Sequence, residues 1–336
     1  MVNVGVDLQM FKGLLGITVD YYNTNTSNML LNVPVPHLTG YSTALMNIGK
    51  VNNRGWEIAL TSQKNFTKDF GYSFNANYAT NTNEVKALGP GNAPIISTGS
   101  VDHAYYITKV GEPIGYLLVQ DGIFSNEEEL KKYPHFSNTQ PGDFRFVDVD
   151  GDGVMDLDKD RTIVGNYMPD FTYGFGGKVW YKGIDLDFNF QGVYGNEILN
   201  LNRRYIDNLE GNTNGTTIAL NRWKSADNPG NGQVNRANRK SKGYNGRTST
   251  WHLEDGSYLR LQNVTLGYTL PQNLTRRFFV EKLRVYVSGQ NLWTSTNYGG
   301  YNPEVNARPS NSLSPGEDYG TYPLAKTFLF GLNITL

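Results

Sequence analysis

The chain has 336 residues, a formal net charge of -1 and only 18% charged residues. The near-zero charge excludes a globally basic surface that would attract nucleic acid or anionic lipid over the whole molecule. The lack of cysteine excludes disulfides and thiolate metal sites, although it leaves the cellular compartment open. No apolar run reaches the roughly 18 residues that a membrane-spanning helix needs.

A two-residue alternation of apolar and polar side chains predicts antiparallel β-strands along the chain, about ten in total. Successive side chains of a strand point to opposite faces, so each run presents one apolar stripe. In chain order, the apolar positions are Val2, Val4, Val6, Leu8 and Met10; Ile17, Val19 and Tyr21; Trp56, Ile58 and Leu60; Tyr72, Phe74, Ala76 and Tyr78; Phe171, Tyr173 and Phe175; Ile184, Leu186, Phe188 and Phe190; Leu283, Val285 and Val287; and Phe328, Phe330, Leu332, Ile334 and Leu336. Short turns at Lys12-Gly13 and Lys182-Gly183 predict hairpins.

One strand breaks the alternation. Leu259 and Leu261 share one phase, whereas Val264, Leu266 and Tyr268 share the other. This phase slip predicts a β-bulge near residues 262–263. If the strands cross a membrane, the slip would alternatively mark the point where this strand leaves it.

The alternation by itself fits both a β-sandwich and a transmembrane β-barrel, because both have one apolar and one wet face. Three observations favour the barrel. The strands have about ten alternating positions, which suits a tilted membrane crossing. Aromatic residues lie near predicted strand ends, as a membrane interface requires; they are Tyr21, Tyr22, Trp180, Tyr181 and Trp293. Very short connections alternate with long ones, as periplasmic turns alternate with extracellular loops.

The predicted long connections are roughly 85–170, 200–255 and 295–325. Such long loops are uncommon in compact domains and are usually functional. The first residues lack a basic n-region and an apolar h-region, so no signal peptide is visible. We therefore expect the chain to be a fragment, with 1–336 forming one segment of a longer barrel.

Five segments, in order, carry a resemblance to a known family. They are Asn47–Glu57 (NIGKVNNRGWE), Pro141–Gly153 (PGDFRFVDVDGDG), Ile163–Gly174 (IVGNYMPDFTYG), Glu254–Tyr268 (EDGSYLRLQNVTLGY) and Leu283–Trp293 (LRVYVSGQNLW). Together they resemble the C-terminal half of the SusC/RagA family of TonB-dependent outer-membrane transporters. The resemblance implies an all-β fold, the C-terminal part of a 22-stranded transmembrane β-barrel, without the plug and other N-terminal parts.

The resemblance also implies a function for the intact parent protein. It implies TonB-dependent uptake of oligosaccharide or peptide nutrients across the outer membrane of a Gram-negative, Bacteroidetes-like cell. The implied partners are a SusD-like surface lipoprotein, the TonB complex through the missing N-terminal part, and the lipid bilayer, with no nucleic acid. No enzymatic activity is implied.

Two alternative functions stay open at this point. A passive outer-membrane porin would share the barrel but would have no plug or TonB-contacting segment upstream. A soluble or surface-attached β-sandwich that binds carbohydrate would share the alternation but would need no detergent.

The densest chemical cluster predicts a calcium loop. Asp148, Asp150 and Asp152 occupy positions 1, 3 and 5 of an Asp-x-Asp-x-Asp-Gly start, and Val154 could offer its carbonyl oxygen at position 7. Asp156 falls at position 9. Position 12, where a bidentate acid belongs, is a lysine, so Asp158 or Asp160 would have to substitute. The alternative is a solvated acidic turn, although crowded carboxylates repel one another without a cation.

Other candidates have weaker support. Tyr298 and Tyr301, in an aromatic Asn-Tyr-Gly-Gly-Tyr loop, could stack on sugar rings or could pack on the loop itself. A polar ladder along one predicted strand (Asp185, Asp187, Asn189, Gln191) suggests lumen lining, and a basic loop (Arg236, Arg239, Lys240, Lys242, Arg247) suggests a solvated loop. The four histidines (His37, His103, His135, His252) lack the spacing of a metal site, and no catalytic motif is present.

Overall fold

The fold is described from a computed structural model. It describes residues 1–35, 38, 40–41, 43–88, 90–101, 104–110, 117–211, 213–239, 244–309 and 314–336. The strands in chain order are β1 Val2–Met10, β2 Leu15–Pro34, β3 Thr43–Thr67, β4 Phe70–Ala79, β5 Thr82–Ala87, β6 Ile95–Thr98, β7 Tyr105–Thr108, β8 Leu117–Leu118, β9 Gln120–Ile123, β10 Phe144–Phe146, β11 Arg161–Thr162, β12 Phe171–Tyr181, β13 Ile184–Tyr194, β14 Glu197–Asn200, β15 Leu253–Asp255, β16 Tyr258–Thr269, β17 Lys282–Thr296, β18 Glu317–Asp318 and β19 Thr327–Thr335.

Helices are short and few in the described part. The α-helices are α1 Glu127–Lys132, α2 Arg203–Ile206 and α3 Gln272–Thr275, and the 3-10 helices are Pro90–Asn92, Thr217–Asn221, Thr250–His252 and Arg276–Phe278. Asn126 caps α1 by accepting from two backbone N–H groups of the first turn. Among the described residues, no helix is both long enough and apolar enough to cross a membrane.

Ten strands form one large antiparallel sheet. Its order is β1-β2-β3-β4-β12-β13-β16-β17-β19, and β5 pairs with the extended end of β3. Within the described residues, the predicted all-β class and the predicted number of about ten antiparallel strands are confirmed. The strands of this sheet are separated by three long connections, 88–170, 195–257 and 297–326.

The strand register places the apolar phases on one common face. Val6 pairs with Val19, which pairs with Ile58 on the next strand. Because directly paired residues point the same way, the apolar stripe continues from strand to strand across the sheet. On β19, Phe330 is 82% and Leu332 is 64% exposed, so this face has no protein cover within the described chain. An apolar surface of this extent is the mark of a membrane or partner interface.

The opposite face of the same sheet is polar. Asn189 pairs with Asn263, and Asp187 pairs with Thr265. The predicted polar ladder therefore does lie on one face of β13. Asp185, at its end, is buried, and Arg284 donates to both of its carboxylate oxygens at 2.8 and 2.6 Å. A sheet with one apolar and one polar face is typical of the wall of a transmembrane β-barrel.

The predicted bulge is confirmed. Asn189 pairs with Asn263 but the next residue, Phe190, pairs with Leu261, so Gln262 has no partner on β13. The pairing of β16 with β17 is irregular at the same place. The extra residue keeps Leu261 on the apolar face, because Leu261 pairs with Phe190 on β13 and with Trp293 on β17.

Aromatic side chains form two rows on the apolar face, one near each end of the strands. At the short-turn end, Phe66 stacks on Phe70 at 4.9 Å, and Phe70 contacts Tyr181 edge-on at 5.9 Å. At the loop end, Tyr78 contacts Phe171 at 5.2 Å. Phe70 and Tyr78 are eight residues apart on β4. This separation is about 27 Å along a strand. At the strand tilt usual in transmembrane barrels it corresponds to a height of roughly 21 Å perpendicular to a membrane, close to the height of the apolar band of such barrels.

Two aromatic residues expected at the membrane interface lie instead on the polar face. Tyr22 pairs with Gly55, and its hydroxyl donates to the Thr80 carbonyl at 3.2 Å. Trp180 lies over Gly71, where an added Cβ would be 2.4 Å from the indole ring. The prediction for these two residues was wrong because adjacent positions in a strand face opposite sides.

The hydrophobic core of the described chain lies in the long connections and not in the large sheet. Three buried clusters gather around Phe144, around Leu201 and around Leu88. Of the buried apolar side chains, only Val85 and Tyr258 belong to strands of the large sheet. The connections therefore fold into packed structure with cores of their own.

Candidate functional site

Three carboxylates, from Glu317, Asp143 and Glu254, join the three long connections. Glu317, which is fully buried, accepts hydrogen bonds from the backbone N–H of Ser100 at 3.1 Å and from the Tyr106 hydroxyl at 3.3 Å. Burial, together with the Glu317 charge, raises the pKa of Tyr106 far above its usual value, so the phenol stays a donor. This contact ties the connection 297–326 to the connection 88–170.

Asp143 makes the corresponding link to the middle connection. Its carboxylate accepts from Arg236 Nε at 2.7 Å, from Asn245 Nδ2 at 2.9 Å and from the backbone N–H of Gln140 at 2.9 Å. Arg236 belongs to the predicted basic loop and is therefore structural in part. Lys240 and Lys242 of that loop lie outside the described residues.

Glu254 completes the set by joining the middle and last connections. It accepts from the backbone N–H of Gly299 at 2.7 Å and from Asn200 Nδ2 at 3.0 Å. The three connections thus form one assembly, which we call the loop lobe. Because an unpaired buried charge is costly, the buried carboxylates of Glu317 and Asp143 require their partners from another connection.

A fourth carboxylate fixes the loop lobe to the polar face of the sheet. Glu304 accepts a hydrogen bond from the Tyr258 hydroxyl at 2.7 Å and one from Gln191 Nε2 at 2.9 Å, and it pairs with the guanidinium of Arg260. Arg260 is only 2% exposed and also donates to Asn302 Oδ1 at 2.8 Å. The segment 302–304 therefore lies against the polar face of β13 and β16. Sequence reasoning missed Glu304, because nothing in its local pattern marks the contact.

Three residues of the predicted calcium loop converge in space. One carboxylate oxygen from each of Asp148, Asp150 and Asp152 lies within 4.8 Å of the others. Asp148 also accepts from the backbone N–H groups of Gly151 at 2.8 Å and Gly153 at 2.9 Å. These bonds, that of Gly153 foremost, hold the pKa of Asp148 below its usual range, so it remains ionised.

The geometry of the turn explains its two glycines. Gly151 has φ 74° and Gly153 has φ 81°, which is the left-handed region that side chains with a Cβ rarely adopt. Both glycines are open to solvent, with nothing near an added Cβ. The backbone conformation, and not packing, therefore requires glycine there.

Asp156 lies outside the converging set of carboxylates, whereas the predicted ligand of Val154 is its backbone carbonyl oxygen, which stays a prediction. Val154 has a solvent-exposed side chain, 63% accessible. Asp156 accepts from the backbone N–H of Asp158 at 2.7 Å, which lowers its pKa and uses its carboxylate within the turn. Lys159 places its Nζ 3.4 Å from Asp152 Oδ2, so a lysine partly neutralises the cluster.

Asp160 has a structural position. It is fully buried and accepts from the backbone N–H groups of Val149 at 2.9 Å and Asp156 at 2.6 Å. These bonds join the start of the acidic turn to its end. Asp160 therefore holds the loop closed, which its position in the sequence did not reveal.

The two tyrosines predicted to contact substrate differ in exposure. Tyr298 is 5% exposed, and its hydroxyl donates to Asp318 Oδ2 at 2.5 Å. Its ring is thus part of the loop-lobe interior, and burial and Asp318 raise its pKa. Tyr301 is 80% exposed and is available for stacking. Of the two tyrosines, Tyr301 has the exposed ring that stacking requires, and its contact with substrate stays a prediction.

The histidines do not form a cluster in the described part. His37 and His103 lie outside the described residues. His135 contacts Phe124 edge-on at 6.0 Å. His252 is fully buried, and its Nδ1 accepts from the backbone N–H of Ser249 at 3.2 Å. Burial lowers the pKa of His252 to about 3, so the ring is neutral near pH 7.

Comparison with known proteins identifies relatives along almost the whole chain, although no family model matches it. TonB-dependent receptor P3 of Formosa agariphila is 33% identical over 99% of the chain, and TonB-dependent receptor SusC of Bacteroides thetaiotaomicron is 28% identical over 99%. These alignments cover 33% and 31% of the respective relatives. The chain thus spans about a third of the length of the curated relatives it matches.

Solved structures give the same result for the fold. The RagAB peptide transporter superposes with a TM-score of 0.78 at 26% identity, covering 99% of this chain and 34% of that one. The RagAB peptide importer in its closed-closed state gives a TM-score of 0.79 at 26% identity, covering 99% and 35%. The predicted fold, part of a large transmembrane β-barrel with long loops, is confirmed by this likeness.

Proposed function

Because this chain belongs to the SusC/RagA family of TonB-dependent receptors, we propose that its parent protein imports a nutrient across the outer membrane. In this proposal, residues 1–336 form one segment of the parent's barrel wall and of its extracellular loops. Transport is energised through TonB and has no enzymatic step. The observation that carries the proposal is the two-faced sheet, with an apolar face between two aromatic rows and a polar face toward the lumen.

A surface lipoprotein of the SusD type is the proposed partner at the loop lobe. The relatives that support this include the RagAB peptide importer, whose structure has been solved in a closed-closed state. In the present chain, the loop lobe is packed and tied together by Glu317, Asp143 and Glu254, so it could serve as a firm docking surface. Exposed aromatic side chains such as Tyr301 would contact the captured substrate.

The substrate class is an oligosaccharide or a peptide. Both present hydrogen-bonding groups and faces that aromatic side chains can cover. Neither needs a charged site, and the wall facing the lumen carries neutral amides such as Asn77, Asn189 and Asn263. These residues suit passage of a hydrophilic solute.

Uptake by cells that express the intact parent tests the proposal. Fluorescently labelled oligosaccharides and peptides are supplied, and internalised label is measured with and without a protonophore. We expect one of the two classes to be taken up, and the protonophore or deletion of the TonB gene to abolish uptake. Uptake that continues unchanged after both treatments would instead support a passive porin.

We also propose that the acidic loop binds calcium. The convergence of Asp148, Asp150 and Asp152 within 4.8 Å supports this, as does the need to offset their mutual repulsion. Only three carboxylates converge, and Lys159 lies close to one of them. We therefore expect weak, extracellular-type affinity of about 10⁻⁴–10⁻³ M.

Calorimetry of the purified parent with calcium tests this proposal. Asp150→Asn should remove the heat of binding, whereas Asp121→Asn, which alters an exposed carboxylate paired with Arg145, should leave it unchanged. Absence of calcium uptake by the unmodified parent would show that the cluster is a solvated turn.

A further inference from the structure

Basic side chains concentrate at the short-turn end of the large sheet. We define the turn rim as residues 11–14, 64–70, 181–184 and 270–282, which are the four hairpin connections at that end together with the flanking strand residues. Its basic residues are Lys12, Lys64, Lys68, Lys182, Arg276, Arg277 and Lys282, and its acidic residues are Asp69 and Glu281. Seven cations against two carboxylates leave a side-chain charge of +5. The chain as a whole carries -1, so the remaining side chains carry -6.

The cations of the turn rim have no carboxylate partners in the described part of the chain. All seven are exposed, and within the described residues none of them forms an ion pair. By contrast, some arginines elsewhere are paired with carboxylates, for example Arg236 with Asp143 and Arg284 with Asp185. The turn rim is therefore a region of uncompensated positive charge.

This charge lies at the level of the aromatic row at the short-turn end. Lys64 lies over the ring of Phe66 at 5.0 Å, and Lys182 lies over the ring of Tyr181 at 5.2 Å. Lys64 pairs with Tyr72, which places it in the apolar phase of β3. A lysine there must carry its ammonium to the polar boundary while its stem stays along the apolar face.

Large apolar side chains at the same end have no cover in the described chain. Phe11 is 73% exposed, Phe278 is 78% exposed and Phe279 is 90% exposed. Two of them directly follow Arg276 and Arg277 in sequence. Exposed phenylalanines directly beside exposed arginines suit the boundary between acyl chains and headgroups.

We propose that the turn rim binds anionic phospholipid headgroups of the membrane leaflet at the short-turn end. The cations are distributed along four successive hairpins and follow the aromatic row, so they trace a membrane plane. A compact site for a protein partner would instead gather them on one hairpin. Charge complementarity selects an anionic headgroup over a zwitterionic one, because only the former offsets the excess charge of +5.

The test uses the full-length receptor in nanodiscs that contain phosphatidylcholine with or without phosphatidylglycerol. Native mass spectrometry after gentle release counts the lipids that remain bound. We expect preferential retention of phosphatidylglycerol, and we expect the preference to weaken as salt is raised.

A triple variant, Lys182→Gln, Arg276→Gln and Arg277→Gln, should reduce the preference for phosphatidylglycerol. We expect a reduction of about fivefold for each residue neutralised, because one basic residue near a membrane surface contributes about 1 kcal/mol. The matched control neutralises three exposed lysines of the loop lobe, Lys131, Lys132 and Lys224, and should keep the preference. Equal retention of both lipids by the unmodified receptor would overturn the proposal without any variant. A triple variant that behaves like the control would also overturn it. Lipid retention is measured without uptake, so either result is independent of the transport function.

Discussion

The Glu304 carboxylate pairs with the Arg260 guanidinium, which joins the last long connection to the polar face of β16. The arginine side chain is 3% exposed and the glutamate side chain 40% exposed. The pair thus lies at the inner edge of the loop lobe, where a loop of the extracellular end meets the lumen wall. It fixes the position of the segment that carries Tyr301.

Replacing Glu304 with glutamine should loosen this segment. Arg260 would keep its hydrogen bonds to Asn302 and Thr294 but would lose its charged partner while it remains buried. We expect the free energy of local opening of residues 297–309 to fall by about 2 kcal/mol, the usual range for a hydrogen bond to a charged group. Hydrogen exchange of this segment in the full-length receptor measures the change.

Glu281→Gln is the control for this variant, because Glu281 is exposed and forms no ion pair in the described part of the chain. Its exchange profile should match that of the unmodified receptor. If Glu304→Gln also leaves the exchange of residues 297–309 unchanged, the pair does not hold the loop.

Gly55→Ala should destabilise the sheet. An added Cβ would lie 1.9 Å from the Thr80 carbonyl oxygen and 2.7 Å from the Tyr22 hydroxyl, and the first of these belongs to the backbone. Because the backbone cannot move aside as a flexible side chain can, we expect a loss of about 1–3 kcal/mol. When samples are heated to increasing temperatures and run on a gel, the mobility shift of the folded receptor should disappear at a lower temperature for this variant.

Gly122→Ala is the comparison for that substitution. Its added Cβ would be 3.2 Å from the end of the flexible Arg145 side chain, which can move aside. We expect no measurable change in the same gel assay. Equal behaviour of the two alanine variants would argue against close approach at Gly55.

The loop lobe should become less stable in acid because of His252. Its pKa is lowered to about 3 in the folded state, whereas an unfolded histidine has a pKa of about 6.5. Between these values the unfolded state binds a proton that the folded state does not, so stability falls as pH decreases. The contribution of neutral His252 to the free energy of unfolding is therefore fully present above about pH 6.5.

Hydrogen exchange around residues 249–255, corrected for the intrinsic rate, measures this effect between pH 7 and pH 5. Protection should decrease with pH in the unmodified receptor. His252→Gln keeps an acceptor for the Ser249 N–H but cannot titrate, so its protection should change less with pH. An identical pH dependence in both proteins would assign the effect to another group.

The strands could be predicted from the sequence because alternation with period two is a local property. It located the apolar face and, through the phase slip, the bulge at Gln262. The separate inference from aromatic residues near strand ends failed for Tyr22 and Trp180, because closeness to a strand end does not fix which face a residue takes. The Asp148, Asp150 and Asp152 cluster was visible for the same local reason.

The loop lobe could not be predicted in this way. Its contacts join residues more than a hundred positions apart, such as Ser100 with Glu317 and Asn245 with Asp143. The burial of Tyr298 follows from its contact with Asp318, which belongs to another part of the same connection. Such pairings depend on how the loops pack together, and no periodic pattern encodes them.

The central claim, that one face of the sheet contacts lipid and the other the lumen, is tested most directly by paired arginine substitutions on β16. Val264 pairs with Phe188 on the apolar face, and its neighbour Thr265 pairs with Asp187 on the polar face. In urea unfolding of the full-length receptor in lipid vesicles, Val264→Arg should lower the free energy of unfolding by about 2–4 kcal/mol, the cost of a charge on the lipid face of a barrel. Thr265→Arg should lower it by less than about 1 kcal/mol, because its side chain would reach water and a carboxylate. Equal losses for the two variants, or a larger loss for Thr265→Arg, would contradict the assignment of the two faces.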